Sequence, residues 1–409
     1  MKQKINILLA VLGMVVLFGT VSCSDDDFTE SIFDTTDYPL DKNSYSFPLD
    51  TFVKKNFLEP YNMRYMYRMQ DIGSDMEYNL VPCTYDKALD LAVLSKYLWY
   101  DVYSQYAGET FLKTYSPRII HVIGSPAYNP TSGTETLGYA EGGLKITLYN
   151  ANNLDPNDMD NLNEKFFKTM HHEFSHILHQ NINMPNDFPF ISNGRYNQSS
   201  WQDTPDSVAL GQGFISPYAS SAYREDWVEI MANYIVKDEI TWNDMLKAAD
   251  YDWETVDDYP AKEFDKAVAR GADRDTLGYF VKVTSYEGGS PSTYKIQRKL
   301  VSRSSDGTAV LNEDGTPQFE NSDGQVGRQI ILQKLQMATE WIKKNFGYDL
   351  QDIRDEVQRR QWVTDADGNF VKGSNGRYIN NLTYVRPDGT TLLDELRQEV
   401  LKYKELQNK

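Results

Sequence analysis

The sequence predicts an α+β fold, a small mixed sheet set among helices and followed by a mainly helical C-terminal region. Three observations predict it. Residues 119–123 (Ile-Ile-His-Val-Ile) and 144–149 (Leu-Lys-Ile-Thr-Leu-Tyr) are short, β-branched or alternating, and read as strands. Amphipathic patterns at 50–70, 84–106, from Asn161 to before Pro185, and at 218–235 read as helices. Beyond about residue 245 the patterns at 261–270, 328–346, 349–361 and 390–406 are helical.

In chain order, residues 1–22 have the form of a signal peptide. Lys2 and Lys4 give a positive start and Ile5 to Phe18 an apolar core. Thr20-Val21-Ser22-Cys23 then reads as a lipobox, with Cys23 the residue to be acylated. An uncleaved membrane helix is the alternative, but the apolar run is short for a span and ends at a cysteine. Several acyl chains on Cys23 would hold the protein stably at a membrane. Residues 23–45 read as an acidic tether, opening Ser24-Asp25-Asp26-Asp27. With Cys23 acylated only Cys83 remains, so no internal disulfide forms. In 84–106, Leu89, Leu91, Leu94, Leu98 and Val102 supply apolar positions. Gly142-Gly143 reads as the turn before the second strand.

The chain has five histidines, and four lie together: His171, His172, His176 and His179. His172, Glu173 and His176 spell H-E-x-x-H. Residues four apart share a helix face, so two imidazoles can bind one zinc ion while the carboxylate beside the first polarises water. Asn161 and Glu164 resemble a capping box for this helix. Phe167, Met170, Phe174, Ile177 and Leu178 recur at helical spacing, roughly opposite His172, His176 and His179. His179 lies ~10 Å along the axis from His172, too far to share the metal on a straight helix, and reads as a supporting residue. His171 points about 100° away and is no ligand.

A third ligand must come from elsewhere. In 218–235, Trp227, Ile230, Met231 and Tyr234 form an apolar stripe, and Glu225 and Glu229 face away from it, four apart. One Glu would ligate, and the other would hydrogen-bond the far nitrogen of a zinc histidine. The competing reading is a solvated acidic face.

H-E-F-S-H followed some tens of residues later by Glu225-Asp226-Trp227-Val228-Glu229 resembles the gluzincin arrangement, in the branch with a tyrosine seven residues before the ligand Glu, as in anthrax lethal factor-like metallopeptidases. Here that tyrosine is Tyr218. The resemblance implies a zincin-like catalytic domain. It implies His172, His176 and Glu225 as zinc ligands, Glu173 as general base, Glu229 in support and Tyr218 steadying the oxyanion. It also implies that strand 144–149 borders the cleft, where it could pair with an extended substrate. The lipoprotein start, the His172–Gln180 string and the 218–235 helix also resemble Bacteroidetes zinc metallohydrolase lipoproteins associated with TonB-dependent substrate import. That implies a cell-surface outer-membrane lipoprotein working beside an import complex, and the acidic run after Cys23 resembles the surface-export signal of such proteins.

Residues 46–245 therefore read as the catalytic domain and 246–409 as a mainly α-helical region. Hairpin-like insertions punctuate the latter near Asp306-Gly307 to Asp314-Gly315 and Asp367-Gly368 to Gly376. Asp365-Ala366-Asp367-Gly368 lacks the spacing and closing Glu of a calcium loop and reads as a turn. No repeat period shows. Residues 183–217 form a long Asn-, Ser- and Pro-rich connection, in which Trp201 either lines a cleft or, more commonly, plugs into the core. A net charge of −18 repels phosphate backbones and excludes nucleic acid as a partner. The sequence thus predicts a surface-anchored zinc hydrolase, a metallopeptidase acting on peptide or protein. The alternative is a non-catalytic binding lipoprotein of an import system.

Overall fold

Apolar residues at helical spacing, followed by β-branched runs too short for a helix, fix the first half of the chain. A computed structural model describes residues 40–69, 80–128, 135–136, 138–141, 144–320 and 326–407. Residues 1–22, expected to be a signal peptide, Cys23, most of the expected acidic tether and Gly142-Gly143 lie outside the described residues. Helix α1 (Phe47–Val53) continues through a π-turn to Tyr61, and strand β1 (Arg64–Met66) follows. The helix expected over 50–70 therefore stops early. Asn62 takes the left-handed conformation (φ 53°) that ends it. Helix α2 (Tyr85–Ser95) also runs on through a π-turn, to Tyr106.

Strands β2 (Ile119–Val122), β3 (Gly138–Glu141) and β4 (Lys145–Leu148) join β1 in a mixed sheet of order β1-β2-β4-β3. β1 with β2 and β2 with β4 are parallel, and β3 with β4 is antiparallel. One expectation falls here. β4 is paired on both sides, so its backbone is closed to a substrate strand, and the outer strand is β3. Ile120, Val122, Ile146 and Leu148 are buried, as are Phe57, Tyr65 and Tyr100, whose rings pack together.

Helix α3 (Lys168–Asn181) carries the histidines and is entered through Met159–Leu162 and a π-turn at Asn163–Phe167. Its cap differs from the expected one. Asp158 accepts from the Asn161 backbone N–H (3.0 Å), while Glu164 pairs with Lys168 and Lys237. Met170, Phe174, Ile177 and Leu178 are buried as their spacing predicts. Helix α4 (Tyr223–Val236) begins later than expected: Tyr218–Ser221 is a separate 3₁₀ turn and Ala222 is extended. The polar front of α4 is not the solvated acidic face of the competing reading. α4 packs against α3 and two later helices, Gly327–Phe346 and Leu350–Gln361, and Glu229 is only 2% exposed.

After helix α5 (Glu239–Ala248), strands β5 (Trp253–Pro260), β6 (Tyr279–Glu287) and β7 (Ser290–Lys299) form an antiparallel sheet of order β5-β7-β6, with α6 (Ala261–Ala269) between β5 and β6. This sheet was not expected from the sequence. Helices α7 (Gly327–Phe346), α8 (Leu350–Gln361) and α9 (Leu392–Leu401) follow, near their predicted bounds.

The two Gly-Asp insertions are copies of one structure. Bonds Ser302 N→Gln318 O, Ser304 N→Thr308 O, Val310 N→Ser302 O, Asn312 N→Thr316 O and Gln318 N→Val310 O each recur 61 positions later, from Val363 N→Ile379 O to Ile379 N→Val371 O. Each copy is a small three-stranded meander with two tight turns. Asp306-Gly307, Val310 and Gly315 of the first match Asp367-Gly368, Val371 and Gly376 of the second, and the glycines have φ of 76–85°. The Asp365 carboxylate accepts from the Asp367 and Asn369 N–H groups, which is turn chemistry.

The C-terminal helices hold α4 in place. Arg354 and Gln358 of α8 donate to the Tyr234, Ile235 and Val236 carbonyls, which a helix end leaves without partners. Lys334 of α7 forms a fully buried ion pair with Asp226 of α4 (2.7 Å) and also donates to the Gly213 carbonyl (2.8 Å). Residues Asp41–Lys409 form one compact unit. Among the described residues no helix is long and apolar enough to cross a membrane.

Candidate metal centre

Helical spacing puts His172 and His176 one turn apart on α3, their rings 4.8 Å apart between centroids. α4 crosses α3 and brings Glu225 to them. Glu225 Oε2 lies 3.2 Å from His172 Nε2 and 3.2 Å from His176 Nε2. Three ligand atoms on a tetrahedral zinc with bonds of about 2.0–2.1 Å stand ~3.3 Å apart, close to this spacing. Glu173 also belongs to the cluster, with one ligand atom each from His172, Glu173 and His176 within 4.8 Å. Two carboxylates thus compete for the third place, and Glu225 is the one that touches both imidazoles.

The outer nitrogens argue for a cation between these atoms. His172 Nδ1 is 2.8 Å from Glu229 Oε1, and an ionised carboxylate only accepts, so Nδ1 carries the proton. In the neutral ring Nε2 then presents a lone pair to the Glu225 oxygen. Such a contact is stable only with a proton or a metal between the two atoms. Without metal, burial disfavours a charged His172, but hydrogen bonds to Glu225 and Glu229 outweigh it and push its pKa up to about 10. Burial alone would also raise Glu225. The His172 and His176 hydrogen bonds reverse that and hold it well below the ordinary carboxylate range. A zinc ion satisfies the same lone pairs with two positive charges, so the donor set fits zinc.

Glu229 is held as an anion by several partners. Burial would raise it, but the Lys168 charge and the hydrogen bonds from His172 and Ser216 outweigh that. Ser216 Oγ donates at 2.6 Å and Asn233 Nδ2 at 3.1 Å. His176 has its own outer partner: its Nδ1 is 2.9 Å from His179 Nε2. Burial, then the His176 charge, lowers His179 to about 4, which keeps it a neutral acceptor. His171 faces the core, with Nδ1 3.0 Å from the Tyr103 hydroxyl. Burial pushes its pKa down to about 3. Tyr218 sits with its ring 5.8 Å from that of His172, and burial, then Glu225, pushes its phenol up. Burial also raises the Glu173 carboxyl, opposed by His172 and His176.

The structure thus brings His172, Glu173, His176, Tyr218, Glu225, Glu229 and His179 together. It adds Ser216 and Asn233, which the sequence analysis missed. Asn233 stands four residues after Glu229 on α4 and could have been read from that spacing. Ser216 comes from the connecting loop and left no signal. That loop is less irregular than expected, with short helices at Phe188–Ile191 and Asp206–Gly211. Trp201, expected to plug the core, stands edge-on to Tyr218 at 4.9 Å and lines a cavity.

A family model described as "Putative zinc-binding metallo-peptidase" (Peptidase_Mx1) matches residues 42–351. The chain belongs to this family. Its α+β architecture, zincin-like with a mainly helical C-terminal region, is the predicted one, and the metallo-peptidase takes zinc as its cofactor. Among solved structures it is similar to a crystal structure at 2.10 Å of a "putative zinc-binding metallo-peptidase" from Bacteroides caccae ATCC 43185. The two are 30% identical with a TM-score of 0.53, over 81% of this chain and 95% of that one. No curated protein matches the chain.

Proposed function

We propose that this metallo-peptidase hydrolyses peptide bonds with His172, His176 and Glu225 holding zinc and Glu173 as general base. The observation that carries the reading is one Glu225 oxygen 3.2 Å from both Nε2 atoms, with Glu173 beside His172 on the same cavity wall. Zinc bound there would lower the pKa of water and polarise the scissile carbonyl. The chain's own groups do the rest. Glu173 takes a proton from the attacking water and passes it to the leaving amine. The Tyr218 hydroxyl, kept protonated, donates to the developing oxyanion. Glu229 and His179 fix the tautomers that leave both Nε2 lone pairs pointing inward. We propose further that Cys23 is acylated and anchors the protein at the outer surface of an outer membrane, beside a TonB-dependent importer. The leader and acidic run described above support this.

The test is metal exchange. A mixed set of fluorogenic peptides is expected to be cleaved by the purified protein. A strong chelator should stop the cleavage, and ~1 equivalent of zinc should restore it. Stoichiometric zinc with no cleavage of any peptide would favour the binding-lipoprotein reading.

A further inference from the structure

We infer that the site cuts internal peptide bonds and anchors a bulky apolar residue of the substrate on its Trp201–Met245 side; this rests on the peptidase reading above. Two cavities meet at His172, Glu173 and Tyr218. One, of about 680 Å³, runs past His179, Asn183 and Arg224. The other, of about 780 Å³, runs the opposite way past Trp201, Ile215 and Met245. Each is the size that holds a drug-sized ligand, several side chains' worth of space. The catalytic groups therefore stand between two cavities rather than at the end of one. A peptide has room on both sides of the bond to be cut, as an internal bond requires.

The chemistry of the two sides differs. Trp201, Leu210, Ile215 and Met245 make the second cavity largely apolar. Its lysines are engaged: Lys168 and Lys237 both bind Glu164. Glu229 is engaged with His172, Ser216 and Asn233. None of these is left to clamp a terminal carboxylate or ammonium, and the exposed Asp206 is the lining carboxylate that would meet a free N-terminus. Burial of a large side chain against Trp201 and Met245 is the interaction this side offers. The first cavity is polar, with Gln180, Asn183, Asn186 and the exposed Arg224, and suits solvated substrate residues. Arg224 is also the group that would capture a free C-terminus in an exopeptidase, so the termini decide the matter.

The experiment compares peptides acetylated and amidated at their ends with the same peptides left free, reading cut sites by mass spectrometry. Blocked peptides should be cut internally, with a large apolar residue enriched at one fixed position beside the cut. Met245→Trp narrows the cavity and Trp201→Ala removes one wall. Either change should lower the Phe-over-Ala ratio of kcat/KM at that position by at least ~10-fold. Cleavage confined to peptides with a free end overturns the internal-bond assignment. An unchanged ratio in whichever of the two variants folds overturns the cavity assignment. If neither blocked nor free peptides are cut, the peptidase reading fails and takes this one with it.

Discussion

Glu225→Ala should strip the metal from the protein. Wild type purified with ~1 zinc per chain is expected to give a variant with almost none, measured by elemental analysis after dialysis. Glu225 Oε2 is the atom placed 3.2 Å from both imidazoles, and the loss leaves two ligands, one short of a protein zinc site. The controls set the scale. Glu229→Ala and His179→Ala remove only outer hydrogen bonds to His172 and His176, so each should weaken zinc by about 10–100-fold and leave it measurable. If His179→Ala loses zinc outright while Glu225→Ala keeps it, the third ligand has been misassigned.

Glu173→Gln should do the opposite: retain zinc and lose turnover. A general base contributes about 10²–10⁴-fold, and kcat is expected to fall by that order. The amide keeps the size of the carboxylate and its acceptor oxygen but cannot take up the proton. The variant also separates the two carboxylates near the metal. If Gln at 173 empties the site, Glu173 is a ligand. If it leaves kcat intact, the base is elsewhere.

How much of this was legible depended on how local the signal was. H-E-x-x-H and the Glu225/Glu229 pair are helical spacings, and α3 and α4 place them as spacing demands. The start of α4 was not legible, because the apolar pattern runs through Ala222, where the backbone is extended and a 3₁₀ turn carries Tyr218 instead. The β5–β7 sheet escaped because β6 is exposed at almost every position and shows no alternation. The two meanders escaped as a repeat because backbone hydrogen bonds and turn glycines define them, with few shared side chains. The pairing of β4 with β2, Ser216 on Glu229, and Lys334 under Asp226 are contacts between separate segments. No residue pattern encodes them locally.

The last of these bears on the order of events during biosynthesis. Asp226 is the residue after Glu225, and its counterion is supplied by α7, made long after α4 has left the ribosome. A buried carboxylate missing its partner costs about 3–5 kcal/mol, enough to keep α4 from seating against α3. Zinc uptake should therefore come late, once the chain is nearly complete. A nascent chain halted at residue 320 is expected to hold no zinc. Stoichiometric metal in such a chain would mean that the centre assembles without α7.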